Sequence, residues 1–201
     1  MATTLAAVLL ENVRVFDGHR TLSETSVLLR DGVIVQLGAD GEVSAPSGCE
    51  RVDGTGQTLL PGLIDAHTHV FPGSLEQALM FGVTTELDMF ASPTVVAELK
   101  AQAARLPDMA DVRSAGCGAT APGGHPSRLV DRGFYLAFPT IETADQTEQF
   151  VADRLVEGSD YLKVFIEPGH ISGIPLPTLD AETVRALRSR RRPPLRQPSS
   201  G

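Results

Sequence analysis

The sequence predicts an α/β chain in which a small antiparallel β unit precedes repeated strand–helix units. Three observations carry this. Short apolar runs punctuated by Asp-Gly pairs fill the first 60 residues. From Gly62 onward, apolar runs alternate with segments of helical periodicity, the pattern of βα units on a parallel sheet, open or closed into a barrel. A closed (β/α)₈ barrel takes roughly 250 residues, whereas about 140 follow Gly62 and hold four predicted strands. The expectation is therefore half of a composite β-sandwich (1–60) followed by the first four βα units of an incomplete TIM-type barrel (61–187).

In order, an apolar run at 13–16 ends at Asp17-Gly18, and one at 26–30 ends at Asp31-Gly32 with 33–37 following at once. Two residues of Asp-Gly between apolar runs predict a hairpin, because a type I′ turn needs positive φ at both positions. Further turn chemistry stands at Asp40-Gly41 and Asp53-Gly54. Strands are then expected at 63–69, 83–89, 111–117 and 161–166. Helices are expected at 75–81, at 93–106 with Val95, Val96, Leu99 and Ala103 at helical spacing, and at 143–156, which ends before Gly158. A capped helix start spans 179–187. Residues 188–201 are rich in Arg, Pro and Ser, and Pro193-Pro194 forbids continuing that helix. This tail is expected to be disordered, the product of a shifted reading frame or a truncation; the alternative is a basic tail that touches nucleic acid or an anionic surface.

The chain has 201 residues, 42% hydrophobic and 21% charged, with a net charge of −8. That composition suits a soluble globular protein and argues against nucleic acid as a partner for the body of the molecule. Cys49 and Cys117 are too few for a disulfide framework and are expected as reduced, buried thiols. The amino terminus lacks a basic n-region, and Glu11 and Arg14 follow early, so neither a signal peptide nor a membrane span is expected and the location expected is cytoplasmic.

The most informative stretch is Leu59-Leu60-Pro61-Gly62-Leu63-Ile64-Asp65-Ala66-His67-Thr68-His69-Val70. Side chains alternate along a strand, so His67 and His69 share a face, and neutral imidazole is the commonest protein metal ligand. The plainer alternative is a pair of polar residues at a strand end. Asp65 has the same parity one step deeper, which suits support of a ligand better than coordination. Lys163 sits inside the apolar run Leu162-Lys163-Val164-Phe165-Ile166. It either snorkels to water or is desolvated with a nucleophilic free amine, which carbon dioxide converts to a carbamate whose two oxygens can bridge cations. His125 lies in a Gly-Gly-His loop after the third strand and has an exposed loop histidine as its plainer reading; His170 follows the fourth and is expected to be an exposed loop residue; His19, in the β unit, is expected to be structural or solvent-facing. Asp88, at the end of the second strand, suits loop capping.

Taken together, 61–69, Gly82-Val83-Thr84-Thr85, Thr120 with Gly123-Gly124-His125, and Tyr161-Leu162-Lys163-Val164-Phe165 resemble the amidohydrolase superfamily. Within it the likeness is to imidazolonepropionases and Xaa-Pro or Xaa-Arg dipeptidases, over about residues 8 to 187. The resemblance implies a divalent metal site, zinc by preference, with His67 and His69 on the first metal and carboxylated Lys163 bridging to a second. It implies a metal-activated water that attacks the C–N bond of a small amide, dipeptide-like or cyclic substrate, with His125 on the substrate carbonyl. The family's two later histidines and its late aspartate, which serves as general base, match no residue of this sequence; His170 follows Lys163 by only seven residues. Two functions of different class are thus expected: a metal-dependent hydrolase in incomplete form, or a non-catalytic assembly or binding module. Exposed half-barrel edges would favour self-association.

Overall fold

A computed structural model describes residues 7–39, 41–170 and 173–189. The chain divides into two compact units, Met1–Gly62 and Leu63–Gly201. Of the tail, Arg188 and Ser189 are helical and residues 190–201 lie outside the described residues.

The first unit holds β1 (Val8–Phe16), β2 (Thr21–Arg30), β3 (Val33–Ala39), β4 (Glu50–Asp53) and β5 (Thr58–Leu59). The β2–β3 hairpin closes through Asp31 at φ 52° and Gly32 at φ 76°, as the Asp-Gly pair requires. β1, β2 and β3 are antiparallel neighbours, but β4 and β5 both pair with β1 in parallel. The unit is therefore a mixed sheet, in the order β3-β2-β1-β4, and not the purely antiparallel one expected. The expected turn after β3 is present, with Gly41 at φ 84° and Glu42 N–H on the Ala39 carbonyl (3.0 Å), and the connection on to Glu50 passes two strands to reach the far edge of β1. Leu9, Leu28 and Val43 form one buried cluster, and Val13, Val15 and Val27 another. On edge strand β3, Val33, Ile34, Val35 and Leu37 are exposed.

The second unit opens with β6 (Leu63–Thr68), α1 (Ser74–Met80), β7 (Val83–Asp88), α2 (Pro93–Ala103) and β8 (Asp111–Ser114). The strands form a parallel sheet in the order β6-β7-β8, so each helix is the crossover of a βαβ unit. Pro93 opens α2 at a position where its fixed φ fits and its missing N–H is not needed. Leu75 and Ala78 of α1 and Val96 and Leu99 of α2 pack with Val112 of β8 into one core. Leu63 and Ile64 of β6 remain 54% and 63% exposed, so part of the sheet carries apolar side chains without cover.

β8 stops at Ser114 instead of reaching Cys117, because Gly116 turns to φ 60°, outside the extended region. The predicted fourth strand is reduced for the same reason. Its only ladder contact among the described residues is a bridge between Ala119 and Val164, made by Ala119 N–H to the Lys163 carbonyl (2.8 Å) and Phe165 N–H to the Ala119 carbonyl (2.9 Å). Between them lies the short α3 (Ser127–Asp131), which was not expected. The helix predicted from 143 begins as a 3₁₀ turn, Ala144–Gln146, capped reciprocally by Thr143 and Gln146, and continues as α4 (Thr147–Val156). α4 ends where Gly158 takes φ 84°, with Ser159 N–H on the Arg154 carbonyl and Gly158 N–H on that of Leu155. That stop returns the chain to the sheet: Asp160 N–H meets the Ser114 carbonyl (2.8 Å), and Asp160 Oδ2 accepts from Ser114 N–H (2.8 Å) and Lys100 Nζ (2.6 Å). α5 (Ala181–Ser189) then contributes Leu187 to a second core with Phe150, Ile141 and Ala119. Among the described residues no helix is long and apolar enough to cross a membrane.

Candidate active site

In a parallel α/β sheet, ligands gather beyond the carboxyl ends of the strands. Here those ends are Thr68, Asp88 and Ser114. A cavity of about 610 Å³ is lined by His67, His69, His125, Lys163 and Glu167, with Arg128 of α3 and Arg132 just after it. The structure thus brings together every residue that the sequence nominated for metal or substrate.

His67 is in β6 and His69 directly follows it; their ring centroids lie 5.9 Å apart at 62°, on one cavity as strand alternation requires. His69 Nδ1 stands 3.1 Å from the Phe90 carbonyl oxygen. A carbonyl only accepts, so Nδ1 carries a proton, and in the neutral ring Nε2 is the nitrogen left with a lone pair, the tautomer that a metal ligand needs. Asp65 supports the backbone instead of a ring, since its Oδ1 accepts the N–H of His67 (3.0 Å). Lys163 is half-buried, with Nζ 5.3 Å from the Phe165 ring centroid. His125 packs edge-on against the same ring at 5.3 Å. Its burial depresses the imidazole pKa against the opposing pull of Glu167, with His69 and Lys163 adding to the depression. A neutral imidazole can both donate to and accept from a bound carbonyl compound.

Asp88 proves to be the tie of the site. Its side chain is wholly buried, Oδ1 accepts Val70 N–H (3.1 Å), and Oδ2 accepts the Ser114 hydroxyl (2.5 Å). Its carbonyl accepts the Tyr161 hydroxyl (2.7 Å) and the Ala115 N–H (3.0 Å). One residue therefore joins the ends of β6, β7, β8 and the segment that carries Lys163. Burial pushes its carboxyl up, opposed by the Ser114 and Val70 bonds and by the charge of His69. Tyr161 is pushed up to about 12, by burial first and then by Asp88 and Asp160. Glu86 pairs in register with Asp65, and burial, then the charges of Asp65 and Asp88, raise its carboxyl.

Sequence reasoning placed Asp88 at a strand end but missed its four partners, and it missed Arg128 and Arg132, whose helix is too short for periodicity to show. It also missed Gly118. A Cβ at Gly118 would stand 2.5 Å from Phe165 Cε2 and 3.0 Å from Lys163 Cγ, so only glycine lets these side chains approach. His170 and His19 are exposed, and neither lines this cavity. Cys117 is buried and Cys49 half-buried; both are free thiols. Among the described residues no three His, Cys, Asp or Glu side chains form a cluster able to hold a metal. The nominated donors are two imidazoles and one amine, which fit a metal by the Nε2 of His69; the carboxylate on the same wall, Glu167, accepts the Gly169 N–H (2.6 Å) and forms no ligand cluster with the two histidines.

No profile of a known protein family matches the chain. Over 61 residues it is 38% identical to an imidazolonepropionase of Porphyromonas gingivalis, covering 29% of this chain and 14% of that protein. Over 222 aligned positions it is 27% identical to a dihydroorotase of Geobacter metallireducens, covering 89% of this chain and 51% of that protein. In structure it is similar to a Bifidobacterium longum protein assigned as a prolidase, with a TM-score of 0.73, 23% identity, and coverage of 93% of this chain and 47% of that one. The fold is an α/β one, and these likenesses in sequence and structure are all to hydrolytic enzymes. They support a place in the amidohydrolase superfamily, and the chain spans about half the length of the dihydroorotase that it matches.

Proposed function

We propose that this chain carries one half of a metal-dependent amidohydrolase site, built on the first four βα units of a barrel, for hydrolysis of an amide-like or cyclic amide C–N bond in a small substrate. The observation that supports it best is the convergence of His67, His69 and Lys163 on one cavity, with His69 Nδ1 committed to the Phe90 carbonyl. His67 and His69 would hold zinc through their free ring nitrogens, which suits a borderline ion in redox-neutral hydrolysis. When bound, the metal would supply Lewis acidity toward a carbonyl and toward water. Lys163 Nζ would add to carbon dioxide, forming an N–C bond and releasing one proton, so that two anionic oxygens replace an amine. His125, held neutral by desolvation, would orient the scissile carbonyl. Arg128 and Arg132 would hold an anionic part of the substrate. Deprotonation of the attacking water is assigned to no described residue, so turnover would require groups beyond them.

Zinc binding by equilibrium dialysis tests this. The chain should bind zinc, and His67→Ala and His69→Ala should each weaken binding by more than the roughly 10- to 100-fold typical of losing an outer-shell partner. Isotope-labelled carbon dioxide should give a carbamate carbon signal that Lys163→Ala abolishes. Unaltered zinc binding in both histidine variants would refute the assignment. Hydrolysis of a dipeptide and lactone panel by the zinc-loaded chain distinguishes a working enzyme from a binding module.

A further inference from the structure

A second cavity, of about 480 Å³, also borders His69, and its walls differ sharply in chemistry from those of the first. Its lining is aromatic and aliphatic, with Phe71, Phe90, Val95, Tyr135 and Phe138 prominent. Phe90 is the hub. Its ring makes edge-to-face contacts with Tyr135 (5.0 Å, 71°) and Phe138 (5.0 Å, 81°), and it meets Phe165 of the first cavity at 5.7 Å. The same residue's carbonyl holds His69 Nδ1. The wall of the second cavity and the orientation of the candidate ligand are thus set by one residue that is only 4% exposed.

Besides His69, no lining side chain bears a formal charge near neutral pH. The remaining titratable groups on the wall are Tyr135 and Cys117, and burial raises both above their ordinary values. A charged guest would lose hydration and find no counter-ion, whereas a ring would find edges and faces already in the T-shaped arrangement that aromatic groups prefer.

We infer that this cavity is the side-chain pocket of the active site and takes an uncharged aromatic group, so that the substrates are amides bearing a neutral ring beside the scissile bond. The inference rests on the hydrolase reading of His69, and the two can fail separately. Ligand-observed NMR would compare N-benzylacetamide, N-methylacetamide and N-(4-carboxybenzyl)acetamide on the full chain, with zinc and with chelator. The benzyl compound should bind on the order of 10-fold or more tighter than the methyl compound, from burial of one ring. The carboxylated ring should lose that gain. Val95→Phe, which fills the cavity from α2, should remove the preference. Should that variant misfold, intermolecular NOEs from the benzyl protons to the Val95 methyls and the Phe138 ring locate the guest in the wild type. Equal affinity of benzyl and methyl compounds, an unchanged preference in folded Val95→Phe, or NOEs confined to other residues would each overturn the pocket. Loss of zinc binding with the benzyl preference intact would overturn the hydrolase reading and leave the pocket standing.

Discussion

Replacing Asp88 tests whether one buried carboxylate ties the ends of β6 and β8 to that of β7. In Asp88→Ala the Val70 N–H and the Ser114 hydroxyl lose their acceptor at a site where both Asp88 and Ser114 are 0% exposed. Each buried group left unpaired costs about 1–3 kcal/mol, so two cost roughly 2–6 kcal/mol. Removing the buried charge returns part of that, leaving an expected net loss of about 2–3 kcal/mol. Asp88→Asn keeps an oxygen for Val70 and presents an amide to Ser114 Oγ, and should stay within about 1 kcal/mol of wild type. The pH dependence follows from the raised carboxyl. As pH rises above 3.8 the unfolded chain releases this proton first, so the wild type loses stability relative to Asp88→Asn until the folded carboxyl has also ionised. Urea unfolding followed by circular dichroism at several pH values measures both effects. A change below about 0.5 kcal/mol in Asp88→Ala, or a wild type that gains on Asp88→Asn as pH rises, would refute the reasoning.

Gly118→Ala forces a Cβ to within 2.5 Å of Phe165 and 3.0 Å of Lys163, and should destabilise by about 1–3 kcal/mol as overpacking does. Zinc affinity should fall with it if Lys163 is a ligand; a wild-type melting temperature would show that the segment yields without strain. The chain has two tyrosines, and burial raises both, Tyr161 to about 12. Near-ultraviolet absorbance should show the denatured chain forming tyrosinate near its ordinary value of about 10 while the native chain lags. The unfolded state then releases phenolic protons first, so stability should decline as pH rises past 10 toward 12. Coincident native and denatured titrations would contradict the burial of both rings.

What the sequence disclosed depended on how local each signal was. Asp31-Gly32 named its turn because two positive φ values are a local demand. His67 and His69 showed their shared face because alternation is a property of one strand. The parallel attachment of β4 and β5 to β1 was illegible, since nothing within 50–53 or 58–59 says which distant edge will accept them. The fourth strand looked whole because its own residues suit a strand; what shortens it is Gly116, about 45 positions earlier, which ends the partner. Asp88 failed to declare itself for a related reason. A carboxylate at the end of an apolar strand reads as a loop cap, and only the fold reveals that Val70, Ser114 and Tyr161 all converge on that one residue.

The site divides into two electrostatic regimes, and the division bears on what the chain can do. The groups that fix geometry, Asp88, Ser114 and Phe90, are all at most 4% exposed. Of the groups proposed to bind metal and substrate, His67 and His69 are exposed, His125 is exposed though partly desolvated, and Lys163 is half-buried. A polar bond in a dry interior orients its partners firmly, whereas a charge facing water acts through a high effective dielectric and polarises weakly. Orientation of the imidazoles therefore does not require the cavity to be closed, but strong activation of water does. Metal affinity and turnover should then come apart in this chain. Variants of the buried tie should therefore weaken zinc binding, whereas turnover, on the proposed reading, would also need groups beyond the described residues.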